Sequence, residues 1–200
     1  MRKIVVGVTG ASGSQYAFAA LRALRTVPDL EIHLVVSDGA RETVRHETDE
    51  SVDELEALAH VRYDDRDLAS AISSGSFLTD GMLVIPCSMR SAASIAYSMN
   101  GNLLTRAADV TLKERRRLVL VVRETPLHLG HLRTLVALAE IGAVIMPPMP
   151  GLYARPQSVQ DIVNHSVGKA LDQLGIHLDL FKRWKQPAAE REAADTNHPA

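Results

Sequence analysis

Four short stretches hold residues able to do chemistry. Gly7-Val8-Thr9-Gly10-Ala11-Ser12-Gly13 combines small residues with hydroxyls, so backbone N–H groups can approach a phosphate at the head of a following helix, where the dipole favours an anion. It is not the dinucleotide fingerprint, because Thr9 stands where the second glycine belongs, nor a P-loop, because no Gly-Lys-Ser/Thr follows. A tight structural turn is the alternative. Pro86-Cys87-Ser88-Met89-Arg90-Ser91 offers hydroxyls and free backbone donors for a second part of the same ligand, or ordinary helix capping by Ser88 or Ser91. Arg123-Glu124-Thr125-Pro126 sets a carboxylate among cations, where Glu124 should stay ionised and able to accept a proton, or else form a surface ion pair. The rigid loop from Pro147 to Tyr153 ends on a phenol that can bind phosphate, line a cavity, or simply be buried.

Cations supply the complementary chemistry. Arg106 and Lys113, with Arg123 and Lys169, could clamp a phosphorylated substrate, whereas residues 115–117 read as a solvated helix end. Cys87 has no identifiable basic partner and reads as a small packing residue. His128 and His131 could share a helix face, but without a convincing third ligand no metal site is expected.

Positioning these groups requires strands and helices in alternation. Short apolar runs at residues 4–8, 31–36, 82–86, 118–122 and 143–146 suit buried parallel strands. Helical spacing appears at 14–25, 41–47, from about 91, and at 132–141, where Gly142 is the stop. Ser51-Val52-Asp53-Glu54 is a capping box that opens a short helix ending near His60. Ser158 caps a last helix that Gly175 ends. Parallel strands need crossovers, so the expected fold is α/β: a three-layer Rossmann/flavodoxin-like arrangement, its mainly parallel sheet covered by helices on both faces. In such a sheet the ligand lies beyond the carboxyl ends of the strands, where the four stretches fall.

Composition sets the outer limits. Two hundred residues suit one domain over 1–185, followed by a polar, Ala- and Glu-rich tail at 186–200 that reads as disordered. A net charge of -2 gives no reason to expect nucleic acid or a membrane surface as partner. A single cysteine excludes an internal disulfide, and the first apolar run is too short for a signal-peptide core. A cytoplasmic protein is expected.

Seven segments occur together in order: residues 7–13 (GVTGASG), Ser73-Ser74-Gly75-Ser76-Phe77, Ile85-Pro86-Cys87-Ser88-Met89, residues 102–117, Arg123-Glu124-Thr125-Pro126-Leu127, residues 147–153 and Leu174-Gly175-Ile176. In this combination the chain resembles the UbiX/Pad1 family of flavin prenyltransferases, and looks most like the variant that accompanies hydroxyarylic (phenolic) acid decarboxylases as one of their subunits. The resemblance covers about residues 1–185. It implies a metal-independent enzyme that binds reduced FMN and dimethylallyl (mono)phosphate, joins the prenyl C1′ to flavin N5 and closes a ring onto C6. The product, prenyl-FMN, serves a UbiD-type decarboxylase. It further implies a large homo-oligomer, a dodecamer in many members, with sites between subunits.

By position, the resemblance assigns Gly10, Ala11 and Ser12 to the flavin-phosphate loop, and Ser37 and Arg123 to flavin contacts. Ser88, Met89, Arg90 and Ser91 match the second flavin loop. Tyr153 and Lys169 match donor-binding positions, with Arg106 and Lys113 in the same phosphate pocket. Trp184 matches an aromatic on a C-terminal arm over the prenyl group. Ser12, Glu47, Lys113 and Glu124 are the implied catalytic residues. Lys169 stands where many relatives have Arg, and Leu68 where some have Trp. An FMN-binding oxidoreductase and a non-catalytic accessory subunit of an aromatic acid decarboxylase remain as other readings.

Overall fold

The computed structural model describes residues 1–185; the expected disordered tail lies outside them. Six strands form one all-parallel sheet: β1 (Arg2–Val8), β2 (Leu30–Val36), β3 (Val61–Tyr63), β4 (Gly81–Cys87), β5 (Arg117–Val122) and β6 (Val144–Ile145), in the order β3-β2-β1-β4-β5-β6. The helices are α1 (Ser14–Arg25), α2 (Asp38–Glu47), α3 (Val52–Ala57), α4 (Met89–Ala96), α5 (Leu103–Lys113), α6 (Leu129–Glu140) and α7 (Val159–Gln173). Alternate residues of one strand enter opposite cores. Ile4, Val6 and Val8 pack with α1 and α7, while Val5 joins the cluster under α4 and α5. Both faces are therefore dry, which is why the strands read as unbroken apolar runs.

Boundaries differ from the sequence reading where caps decide them. α2 starts at Asp38, not residue 41, because the Ser37 hydroxyl accepts from the Ala40 N–H. α4 starts at Met89 because Ser88 caps it, accepting from Ser91 N–H. His128 caps α6 through Nδ1, which accepts from the Gly130 and His131 N–H groups. The expected capping boxes at Ser51 and Ser158 are present. β3 had no expectation, and α5, of which only a solvated end at residues 115–117 was expected, ends earlier, at Lys113, and is capped by Asn102 in a box with Thr105. Among the described residues no helix is long and apolar enough to cross a membrane.

Candidate functional site

Strand order reverses between β1 and β4, so their outgoing loops part and leave a crevice at the sheet's carboxyl edge. One residue ties the two loops together. Buried Thr9 donates from Oγ1 to the Pro86 carbonyl at 2.9 Å and accepts from the Ser88 N–H at 2.7 Å. On the other flank Gly10 touches Gly39, and a Cβ on Gly10 would stand 2.8 Å from the Gly39 carbonyl carbon. Only backbone fits there.

Between these contacts opens a cavity of about 560 Å³, lined by Gly10, Ser37, Ser88, Arg90, Ser91 and Thr105 among others. Hydroxyls at the heads of α2, α4 and α5 and the Arg90 side chain line one space, and Arg90 has no carboxylate partner among the described residues. Such a lining suits a phosphate joined to a polyhydroxyl chain. The Arg66–Asp38 ion pair, at 2.8 Å, also borders the cavity. Leu68, two residues beyond Arg66, is about half exposed. Asp65 borders the space too and holds the head of α5, accepting from Leu104 N–H at 2.9 Å and Asn102 Nδ2 at 2.7 Å. Burial pushes its carboxyl above the usual range despite those bonds. Met89 enters the core under α4 instead of the cavity.

The head of α1 is occupied by the chain itself. Glu47 Oε2 accepts from Gly13 N–H at 2.8 Å and Ser14 N–H at 2.9 Å, and the Ser12 hydroxyl faces the same carboxylate. Burial raises the Glu47 pKa, but these hydrogen bonds more than offset it and hold the group below its ordinary value. The phosphate expected at this helix head thus meets an internal carboxylate. Gly13 takes φ 121° here, with the Tyr16 ring packed where a side chain would stand.

Tyr16 connects the two halves of the site. Burial raises its hydroxyl pKa, opposed by the nearby Arg123 charge and by Ser166 on α7. Arg123 is held by its N–H on the Cys87 carbonyl at 3.0 Å, and Glu124 follows on an exposed loop where its Oε1 accepts from Thr125 N–H. Along α7, His165 precedes Ser166, and its Nε2 lies 3.2 Å from the Tyr153 hydroxyl. Lys169 is close enough to depress the His165 pKa, after burial the second cause. The Trp184 ring meets Tyr153 edge-on at 5.4 Å. Trp184 is carried by an arm that Arg183 pins to α7 through a two-pronged ion pair with Asp172, at 2.8 and 2.9 Å. The expected residues beside α1 and α7 thus form a set in three parts: Ser12 with Glu47, Arg123 near Tyr16, and Tyr153 with Trp184 and, across His165, Lys169.

Arg106 and Lys113 do not join it within one chain. Arg106 donates to the Ser73 carbonyl at 3.1 Å and pairs with Asp109 at 3.0 Å. Lys113 ends α5 just ahead of β5, at the sheet's amino edge, and pairs with Glu114 beside Gly75. Cys87 is fully buried and its thiol is pushed up to about 12 by burial, which leaves it no nucleophilic role. Sequence reasoning missed Thr9 as the loop tie, Tyr16, Asp65 and His165. Only Asn102 with Thr105 carried a readable signal, a capping box.

The fold and the crevice define a flavoprotein, and the family model described as Flavoprotein matches residues 1–171. Within that class the chain belongs to the UbiX family of flavin prenyltransferases. It is 56% identical over 187 residues to Flavin prenyltransferase UbiX of Escherichia coli (strain K12), covering 92% of this chain and 99% of that one. It is 51% identical over 185 residues to Flavin prenyltransferase LpdB of Lactiplantibacillus plantarum, with the same coverage. Among solved structures, the dodecameric FMN-dependent UbiX-like decarboxylase from Escherichia coli O157:H7 superposes with a TM-score of 0.90 at 47% identity, covering 92% of this chain and all of that one. AnUbiX (PadA1), solved with FMN and dimethylallyl pyrophosphate, also gives 0.90, at 45% identity over 93% of this chain and 98% of that one.

Proposed function

We propose that this chain is a flavin prenyltransferase that joins the dimethylallyl group of dimethylallyl monophosphate to N5 and C6 of reduced FMN, without a metal, making prenyl-FMN for a UbiD-type decarboxylase. The observation that carries the reading is the cavity at the β1–β4 crevice, lined by hydroxyls and Arg90, at the carboxyl edge of a parallel sheet; the Tyr153–His165–Trp184 cluster against α7 supplies the donor side.

Each part has a task. Ser37, Ser88, Arg90 and Ser91, with the Gly10 backbone, hold the flavin phosphate and ribityl chain, and Arg123 holds the ring side. Ala11 shapes the same loop. Tyr153 and Lys169 hold the donor phosphate. Breaking the allylic C–O bond leaves positive charge on the prenyl carbons and negative charge on phosphate. Lys169 and the Tyr153 hydroxyl stabilise the leaving phosphate as that charge develops. The Trp184 face shields the cationic carbons. Glu124, exposed beside Arg123, takes the proton displaced from the flavin, and Ser12 held by Glu47 relays it. Lys169, unlike an arginine, grips as a point charge, so the donor's orientation falls more to Tyr153. Arg106 and Lys113 serve a neighbouring copy: in a homo-oligomer of the dodecameric kind, the amino edge of one subunit can complete the phosphate pocket of the next.

The test is an anaerobic incubation of the purified protein with reduced FMN and dimethylallyl monophosphate, with the pyrophosphate in a parallel arm. Mass spectrometry should find a flavin heavier by one prenyl unit with the monophosphate. Bound but unmodified flavin in both arms overturns the reading.

A further inference from the structure

We propose that His165 is a positioning residue for Tyr153: its Nε2–H holds the phenol oxygen so that the hydroxyl proton of Tyr153 points at the donor phosphate. This rests on the prenyl-transfer reading above. The imidazole has little freedom. Tyr153 meets it edge-on at 5.6 Å, Phe181 at 4.8 Å on another side, and Gly151 backs it so closely that any side chain there would overlap the ring. Its Nδ1 is fully buried and has no hydrogen-bond partner among the described residues. That orphan selects the tautomer. A proton on Nδ1 would leave a buried N–H unpaired, the rarer and costlier kind of orphan. With the proton on Nε2 the ring donates across the 3.2 Å contact to the Tyr153 oxygen.

The consequence falls on Tyr153. Its oxygen is occupied as an acceptor, so its own O–H must donate elsewhere, and the cation that acts on the same imidazole from α7 is the Lys169 ammonium, which can only donate. A neutral O–H donor and a cationic donor turned to one space suit an anionic acceptor such as a phosphate. Burial and the Lys169 charge both keep the imidazole neutral, so it adds direction without adding charge. A donor behind the phenol also polarises it, strengthening the hydrogen bond it gives. Histidine thus supplies the orientation that an arginine at 169 would otherwise bring.

Two replacements of nearly equal volume separate hydrogen bonding from packing. His165→Gln can place an amide N–H near the Nε2 position, and His165→Met cannot. Wild-type prenyl transfer is the control for the functional reading; if no adduct forms, the reading and this inference fall together. Given the adduct, His165→Met should raise the KM for dimethylallyl phosphate about five- to tenfold. It should lower kcat as well, because the same hydroxyl stabilises the leaving phosphate. The KM for FMN should stay unchanged, and His165→Gln should recover most of the loss. In a Tyr153→Phe background His165→Met should add nothing, because the group it acts through is gone. An unchanged donor KM in His165→Met, or losses that add in the double variant, overturns the inference. Independently of any variant, solid-state nitrogen-15 spectra of the intact protein should show His165 protonated on Nε2 alone. A proton on Nδ1 alone overturns it.

Discussion

Glu47 places a carboxylate against the two leading N–H groups of α1, so the last residue of one helix neutralises the head of another. Its folded-state pKa lies below the ordinary value, so its stabilisation is complete above the unfolded carboxylate range and fades as pH falls through the folded pKa. Glu47→Gln should therefore cost about 1 kcal/mol near neutral pH, read from urea midpoints, and the gap to wild type should close in the acid range below about pH 4. Equal gaps at neutral and acid pH would show that the charge is irrelevant. Cys87 gives a second test. Buried, with its thiol pushed up to about 12, it should resist thiol reagents at pH 8 until the protein unfolds. At this scale the sequence disclosed residue types but not partners. Ser37 and Ser88 were readable because a hydroxyl at a strand–helix junction can only bind or cap. Arg106 and Lys113 were read as clamp members because their charge is visible in the sequence, although Asp109 and Glu114, three and one residues further on, are the partners that occupy them. His165 gave no signal, since its part depends on a hydroxyl twelve residues away.

Among elements, the junction of β1 with β4 hangs on Thr9. Thr9→Val keeps the shape but leaves the Ser88 N–H without its acceptor, and should destabilise by about 1–3 kcal/mol while widening the crevice enough to weaken FMN binding. Calorimetric unfolding and flavin titration measure the two effects; a variant as stable as wild type would show that Thr9 is dispensable. Among the described residues, the polar anchor of the C-terminal arm is Arg183 on Asp172. Arg183→Met should release it, and because Trp184 is the sole tryptophan, the fluorescence anisotropy of the protein should fall as donor KM rises. Unchanged anisotropy would mean that Tyr153 and Phe181 hold the arm unaided. The long apolar strands and the boxed caps were legible because they repeat over many residues or rest on neighbours in sequence. β3 was not: two half-buried residues flanking the exposed Arg62 at a sheet edge carry too little pattern. α5 stayed hidden because its charged C-terminal end drew the reading away from its Asn102–Thr105 cap.

The whole chain exposes more apolar surface on α6 than a solitary domain favours. Leu129, Leu132 and Val136, at 60%, 47% and 56% exposure, line one face of that helix. A stripe with this spacing suits contact with another copy. Leu132→Asp with Val136→Asp should convert the assembly to smaller species on light scattering, with loss of prenyl transfer if Lys113 of one subunit serves the next. Persistence of the full assembly would place the contacts elsewhere. The backbone touch between Gly10 and Gly39 bears on redesign. A floor made of two bare main chains offers no side chain to trim, so room for bulkier allylic reactants cannot be carved there. On the proposed reaction it must be sought at Trp184, against Tyr153, where a shorter residue should lengthen the isoprenoid accepted.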